Sequence, residues 1–217
     1  MYKAIIFDMD GVLCDSEAII CAAAVQFFKE AYNVVVQPEE FKPFVGMGED
    51  RYLGGVAEAH DVTLSLEADK VRVYSTYLEL IKGNLAPITG VHAFIDAART
   101  AGLHLAVATS ADFMKMNGNL NELGLPAKGF AACIMGNDVE RKKPYPDIFL
   151  LAAERMGIAA QDCLVVEDAV SGVQAAKAAG MTCLGLMSSF DADTLTQAGA
   201  DFVAPDFTTL PDNLQIW

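Results

Sequence analysis

Six short runs recur along the chain, and each is apolar on consecutive rather than alternate positions. They occupy residues 4–7, 103–108, 131–135, 164–166, 182–186 and, more weakly, 202–204. Consecutive apolar positions mark strands covered on both faces, which is the habit of a parallel sheet. Helical segments lie between them at residues 91–101, 146–156 and 171–179, each followed by a glycine, at 102, 157 and 180. Glycine just past a helix end is the usual stop signal, because it adopts the left-handed conformation without a Cβ penalty. Strands alternating with helices through right-handed crossovers predict an α/β fold with a Rossmann-like parallel sheet core.

One region breaks this rhythm. Between Asp15 and Lys82 no run is long enough to carry a sheet, and 34–36 is too short. Helical patterns fill it instead, at 18–31, 39–44, 50–59 and 67–81. Lys82-Gly83-Asn84 and Ala86-Pro87 supply a return linker. The expected organisation is a core built from residues 1–14 and 84–217, with an inserted all-helical cap at 15–83.

Charge narrows the function classes. The chain of 217 residues carries 15 Lys and Arg against 29 Asp and Glu, a net charge of −14, and its insertion is acidic too. Proteins that grip phosphate backbones present a basic face. Here the one basic cluster is Arg141-Lys142-Lys143, so neither nucleic acid nor an anionic membrane is expected as a partner. No apolar stretch approaches the roughly 20 residues that span a bilayer, and no secretory pattern opens the chain. Cysteines stand alone at 14, 21, 133, 163 and 183, without a CxxC pair, and read as small buried hydrophobes. A cytoplasmic, monomeric protein is expected.

Ligands of parallel sheets gather beyond the carboxyl ends of the strands. After the first run come Asp8 and Asp10; after the second, Thr109, Ser110 and Ala111; at some distance after the third, Lys143; after the fourth, Glu167 and Asp168. Each group alone has a bland reading as a cap, a strand-end hydroxyl or a solvated lysine. Together they converge on one edge and read as a phosphoryl-transfer site. Asp8, Asp10, Glu167 and Asp168 make an oxygen-rich pocket suited to a hard divalent cation, magnesium by preference. Thr109, the neighbouring backbone N–H groups and Lys143 are placed to hold phosphate oxygens. Asp8, at the strand end, is assigned as nucleophile, and Asp10 as general acid and base.

The stretch Asp8-Met9-Asp10-Gly11-Val12, with Asp15-Ser16-Glu17 behind it, resembles the first motif of the haloacid dehalogenase superfamily. "VATS" with Thr109, "KKPYPDIF" with Lys143 and "VVEDAVSGVQAAKAAGM" with Glu167 and Asp168 are similar to its other three, in order along nearly the whole chain. The insertion point resembles that of the helical-cap subfamily, which includes β-phosphoglucomutase and sugar-phosphate phosphatases. This resemblance implies the same nucleophile and acid/base. It also implies a metal held by the Asp8 carboxylate, the Asp10 main-chain carbonyl and Asp168, with Glu167 acting through water. "PFVGMGEDRYLGG" lies where related caps touch substrate, which implies roles for Gly46 and Gly48.

Two cap positions separate phosphatase from mutase. The mutase carries an arginine where this chain has Glu49 and a histidine where it has Ile20. Glu49 facing a phosphate dianion is expected to be repulsive, with Arg51 as the one candidate to replace the missing cation. The reading is a magnesium-dependent phosphatase of small phosphate monoesters. The alternatives are a phosphosugar mutase and a catalytically silent binding domain of the same fold.

Overall fold

A computed structural model describes residues 1–216. In chain order its elements are β1 (Ala4–Phe7), β2 (Cys14–Asp15), α1 (Glu17–Tyr32), α2 (Glu49–Ala59), α3 (Leu66–Leu80), β3 (Ala86–Pro87), α4 (Val91–Thr100) and β4 (His104–Ala108). There follow α5 (Phe113–Glu122), β5 (Ala132–Ile134), α6 (Asp147–Met156), β6 (Cys163–Glu167), α7 (Val170–Ala178), β7 (Thr182–Leu186), α8 (Ala192–Ala198) and β8 (Phe202–Ala204).

All six expected runs are strands of one parallel sheet, in the order β5-β4-β1-β6-β7-β8. Alternate residues of β1 face opposite sides, as strand geometry requires. Ile5 and Phe7 pack with Leu105, Val107, Leu164 and Val166 on one face; Ala4 and Ile6 pack with Ala106, Val165 and Phe149 on the other. Both faces are dry, which explains the unbroken apolar runs.

The chain leaves β1 toward β4 and β5, then returns to the opposite side with β6. That reversal opens a crevice at the carboxyl end of β1. Register delivers the side chains to it. Phe7 pairs with Val107 on one side and Val166 on the other, so Asp8 emerges beside Ala108-Thr109 and Glu167-Asp168.

The helical region lies where the sequence places it, as α1, α2 and α3 together with a 3-10 turn at Pro38–Phe44. That last segment was expected as ordinary helix. Pro43 lies inside it and lacks the N–H that a longer α-helix needs. The chain enters and leaves the helical region through β2 and β3, which pair antiparallel as a two-stranded ribbon. Among the described residues no helix is long and apolar enough to cross a membrane. Four of the five cysteines are buried and all five are free thiols, with Cys133 half-buried.

Two helices have no counterpart in the sequence reading. In α8 only Leu195 is buried, and Asp191 caps it by accepting from the Thr194 N–H at 2.8 Å. In α5, "FMKMNGNLNE", the buried face is Lys115, Met116, Asn119 and Leu120. Two of those four are polar, so its apolar periodicity is broken where it turns inward.

Candidate active site

A cavity of about 690 Å³ lies between the sheet edge and the helical insertion. Its core side carries Asp8, Asp10, Thr109, Ser110, Ala111, Lys143, Glu167 and Asp168; its insertion side carries Glu17, Lys42, Gly46, Gly48, Glu49 and Tyr52. Thus the structure brings together every expected site residue except Arg51. Glu49 is the first residue of α2 and points inward. Two residues on, a helix has turned by roughly 200°, and the Arg51 guanidinium faces away, bonding Glu58 at 3.1 Å and lying over the Phe44 ring. The proposed stand-in cation therefore points out of the cavity.

Lys143 is the hub of the core side. Its Nζ donates to Asp8 Oδ1 at 2.5 Å, to Glu167 Oε1 at 2.5 Å and to the Ala108 carbonyl at 3.3 Å. Burial alone would lower its pKa, but Asp8 and Glu167 raise it above the ordinary lysine range, so the buried ammonium stays charged. Glu167 spends its other oxygen on the backbone N–H groups of Asp168 and Ala169, both at 2.9 Å. Its carboxylate thereby orients Lys143 and the 168–169 turn while still lining the cavity.

Burial pushes Asp8 up to about 7 despite Lys143, with Glu167 and Asp10 adding to the rise. Burial also raises Asp168 well above the carboxylate range, reinforced by Glu167 and Asp8. A charge imbalance adds to the burial: Asp8, Glu167 and Asp168 are all buried, with the one ammonium of Lys143 paired to the first two. Two negative charges are left over, which is the charge of one divalent cation. Among the described residues no three His, Cys, Asp or Glu side chains close on a common point. The side chains that could hold a divalent cation here are Asp8 and Asp168, with water completing its shell. Asp168 Oδ2 is tied to Ser188 at 3.3 Å and to Ser189. Oδ2 of Asp8 and Oδ1 of Asp168 accept no hydrogen bond among the described residues.

Gly11 makes room for this arrangement. It sits at φ +76°, and a Cβ there would overlap the Asp168 carboxylate. Gly11→Ala is expected to displace the Asp168 carboxylate and to weaken about tenfold any divalent cation held there. Titration calorimetry of both proteins with magnesium checks this, a displaced carboxylate shifting the midpoint upward.

The Thr109 hydroxyl accepts from the Ala111 N–H at 3.1 Å, so that amide closes a local turn and faces Thr109 rather than the cavity. Gly46 and Gly48 have φ of +77° and +85°. A Cβ on Gly46 would come within 2.9 Å of Ala169, and the Gly46 carbonyl accepts from Ser171 Oγ at 3.3 Å. At Gly46 the insertion approaches the core more closely than a plain interhelical turn requires, while Gly48 lies in ordinary contact distance of Ser110.

Sequence reasoning missed Lys115 and Asn119. Lys115 Nζ donates to Asp10 Oδ2 at 2.8 Å and to Glu49 Oε1 at 2.7 Å. Asn119 Nδ2 reaches Asp10 Oδ1 at 3.4 Å, and Ser16 Oγ bonds the same oxygen. The available signal was a lysine and an asparagine four apart in a segment otherwise inward-facing through Met116 and Leu120. Lys115 is shared between Glu49 and Asp10, so one ammonium faces two carboxylates and the group keeps a net negative charge.

A sheet of this order, with carboxylates on β1 and β6 and a lysine between them, defines a family. The model of the haloacid dehalogenase-like hydrolases matches residues 5–186, and the chain belongs to that family. Among individual relatives, it is 38% identical over 214 residues to the chloroplastic protein SUPPRESSOR OF QUENCHING 1 of Arabidopsis thaliana, covering 97% of this chain but only 20% of that protein. It is 34% identical to a phosphorylated carbohydrates phosphatase of Thermotoga maritima, over 91% of this chain and 92% of the other. In structure it is similar to CbbY of Rhodobacter sphaeroides in complex with phosphate, with a TM-score of 0.87, 26% identity and 95% of each chain covered.

Proposed function

We propose that this chain is a magnesium-dependent hydrolase of small phosphate monoesters, sugar phosphates among them, working through a phosphorylated Asp8. The observation that carries this reading is three buried carboxylates, Asp8, Glu167 and Asp168, with the one ammonium among them, Lys143, bonded to the first two. Such a cluster is costly to fold unless a cation and a phosphate use it. The carbohydrate phosphatase and phosphate-bound CbbY relatives support the substrate class.

Asp8 and Asp168 would hold the cation, whose part is to neutralise phosphate charge. Asp8 Oδ2 attacks phosphorus, and the bond to the ester oxygen breaks. Asp10, on the loop beyond, gives its proton to the departing alkoxide. It then takes a proton from the water that attacks the aspartyl-phosphate. Inorganic phosphate leaves and the Asp8 carboxylate is restored. Lys143 and the Thr109 hydroxyl lie along the path of the transferring phosphoryl oxygens.

Hydrolysis is favoured over mutase chemistry by the insertion wall. A mutase must hold a second phosphate there. Among the described residues, Lys42 and the Lys115 contact on Glu49 are the cations on that side, against Asp15, Glu17 and Glu49, and Ile20 is apolar. p-Nitrophenyl phosphate should be hydrolysed with magnesium and not with EDTA, and sugar monophosphates should be turned over faster than bisphosphates. Turnover unaffected by EDTA would remove the metal from the reading. Magnesium should also raise Tm, and more at pH 8 than at pH 5, because Asp8 must be ionised to bind it; differential scanning fluorimetry at both pH values reads this.

A further inference from the structure

Asp10 is anchored by more than its own loop. Lys115 and Asn119 are four apart on α5, one turn along the same face, and both bond its carboxylate. Each also reaches the insertion. Lys115 bonds Glu49 at the start of α2, and Asn119 Oδ1 accepts from the Tyr77 hydroxyl of α3 at 2.7 Å. The Lys115 ammonium lies 5.6 Å from the centre of the Tyr77 ring. The side chains of Lys115 and Glu49 are 4% and 9% exposed. Two polar residues buried on one helix face are expensive unless both are satisfied. Here each bonds the same two parties, the insertion on one side and Asp10 on the other, and Asn119 Nδ2 also reaches Cys14 Sγ at 3.5 Å.

We propose that Lys115, backed by Glu49, is a positioning residue that holds the Asp10 carboxylate in its working setting only while the helical insertion is seated. With the insertion withdrawn, Lys115 loses Glu49 and Asn119 loses Tyr77, so both α5 anchors of Asp10 are free to move and Ser16 is left as its remaining partner. Proton transfer is thereby tied to the closed cleft, where bulk water is excluded. The proposal rests on the phosphatase reading, with Asp10 as acid and base.

p-Nitrophenyl phosphate separates the two half-reactions, because p-nitrophenolate departs without needing a proton. Phosphorylation of Asp8 then proceeds without Asp10, whereas hydrolysis of the aspartyl-phosphate still needs it as base. In rapid-mixing experiments on the magnesium-loaded protein, Lys115→Met is expected to keep the wild-type rate of the p-nitrophenolate burst. Its steady-state rate should fall about tenfold or more. Lys115→Arg should recover most of that loss. Glu49→Gln should slow the steady state several-fold in the wild-type background and add nothing to Lys115→Met, since both act through one contact. Equal slowing of burst and steady state in Lys115→Met would mean general damage to the cavity and overturn the proposal, as would an unchanged steady state. If Lys115→Met does not fold, Glu49→Gln decides alone: a preserved burst with a slowed steady state supports the latch, and wild-type kinetics overturn it. A wild-type protein silent toward the ester with magnesium present would overturn the phosphatase reading and this inference with it.

Discussion

Asp8→Asn is expected to lower kcat by at least about 10⁴-fold and, in the metal-free protein at pH 8, to raise Tm rather than lower it. The activity loss follows from chemistry, since an amide oxygen cannot form the aspartyl-phosphate. The stability gain follows from the crowding around Lys143. Asparagine keeps the shape, and its carbonyl can still accept from Lys143 Nζ, but it removes one of three buried negative charges. The sign with pH is fixed by the direction of the shift. The Asp8 pKa is about 7 in the folded protein against 3.8 ordinarily, so between those values the folded state binds the extra proton. Stability is therefore lost as pH rises through that window, and the loss is complete above it. The Tm advantage of Asp8→Asn should vanish near pH 4, grow toward pH 7 and level off beyond. Melting curves in EDTA across that range, with kcat in magnesium, measure both halves. A variant that is inactive and also less stable at pH 8 would mean that Asp8 is well solvated or well paired, and the charge argument for the cation would fall.

The main-sheet strands were legible because burial on both faces writes itself as uninterrupted apolar sequence. The expected edge constellation was legible because each of its members follows a strand directly or sits in a recognisable motif. What escaped had no such signature. The ribbon of β2 and β3 is two residues long on each side and includes Pro87, so it carries no strand pattern. α5 escaped because Lys115 and Asn119 replace apolar residues on its inward face, and Gly118 and three asparagines lower its helix propensity. Those substitutions are what bring Asp10 its partners, so the feature that hid the helix is the one that makes it matter to the site. Residue identity alone also misassigned directions: Arg51 was a plausible cation by proximity in sequence, but helix phase turns it outward while Glu49 turns in. The sequence also gives no sign of how Glu167 is held: the turn into α7 folds its carboxylate back onto Lys143 and two backbone amides.

Lys143→Met is expected to produce the largest destabilisation available in this site. The side chain is 3% exposed and lies against the Phe149 ring, which a methionine can also pack against. The hydrophobic part of the substitution is therefore nearly neutral, and the electrostatic part dominates. Removing the one ammonium leaves Asp8 and Glu167 buried without their partner, which typically costs about 3–5 kcal/mol. Turnover should be lost as well, since Lys143 holds Asp8 and, in the proposed mechanism, meets the phosphoryl oxygens. Urea unfolding of the metal-free protein at pH 8 reads the stability change, and two rescues separate charge from packing. Lowering the pH lets Asp8 and Asp168 protonate, so the deficit should shrink toward pH 5. Adding Asp8→Asn to Lys143→Met should restore part of the stability, because the pair interacts directly and the two effects will not add. A deficit that is the same at both pH values, and unchanged by the second substitution, would show that Lys143 contributes by filling space. The site would then hold its carboxylates by some means other than the positive charge at its centre.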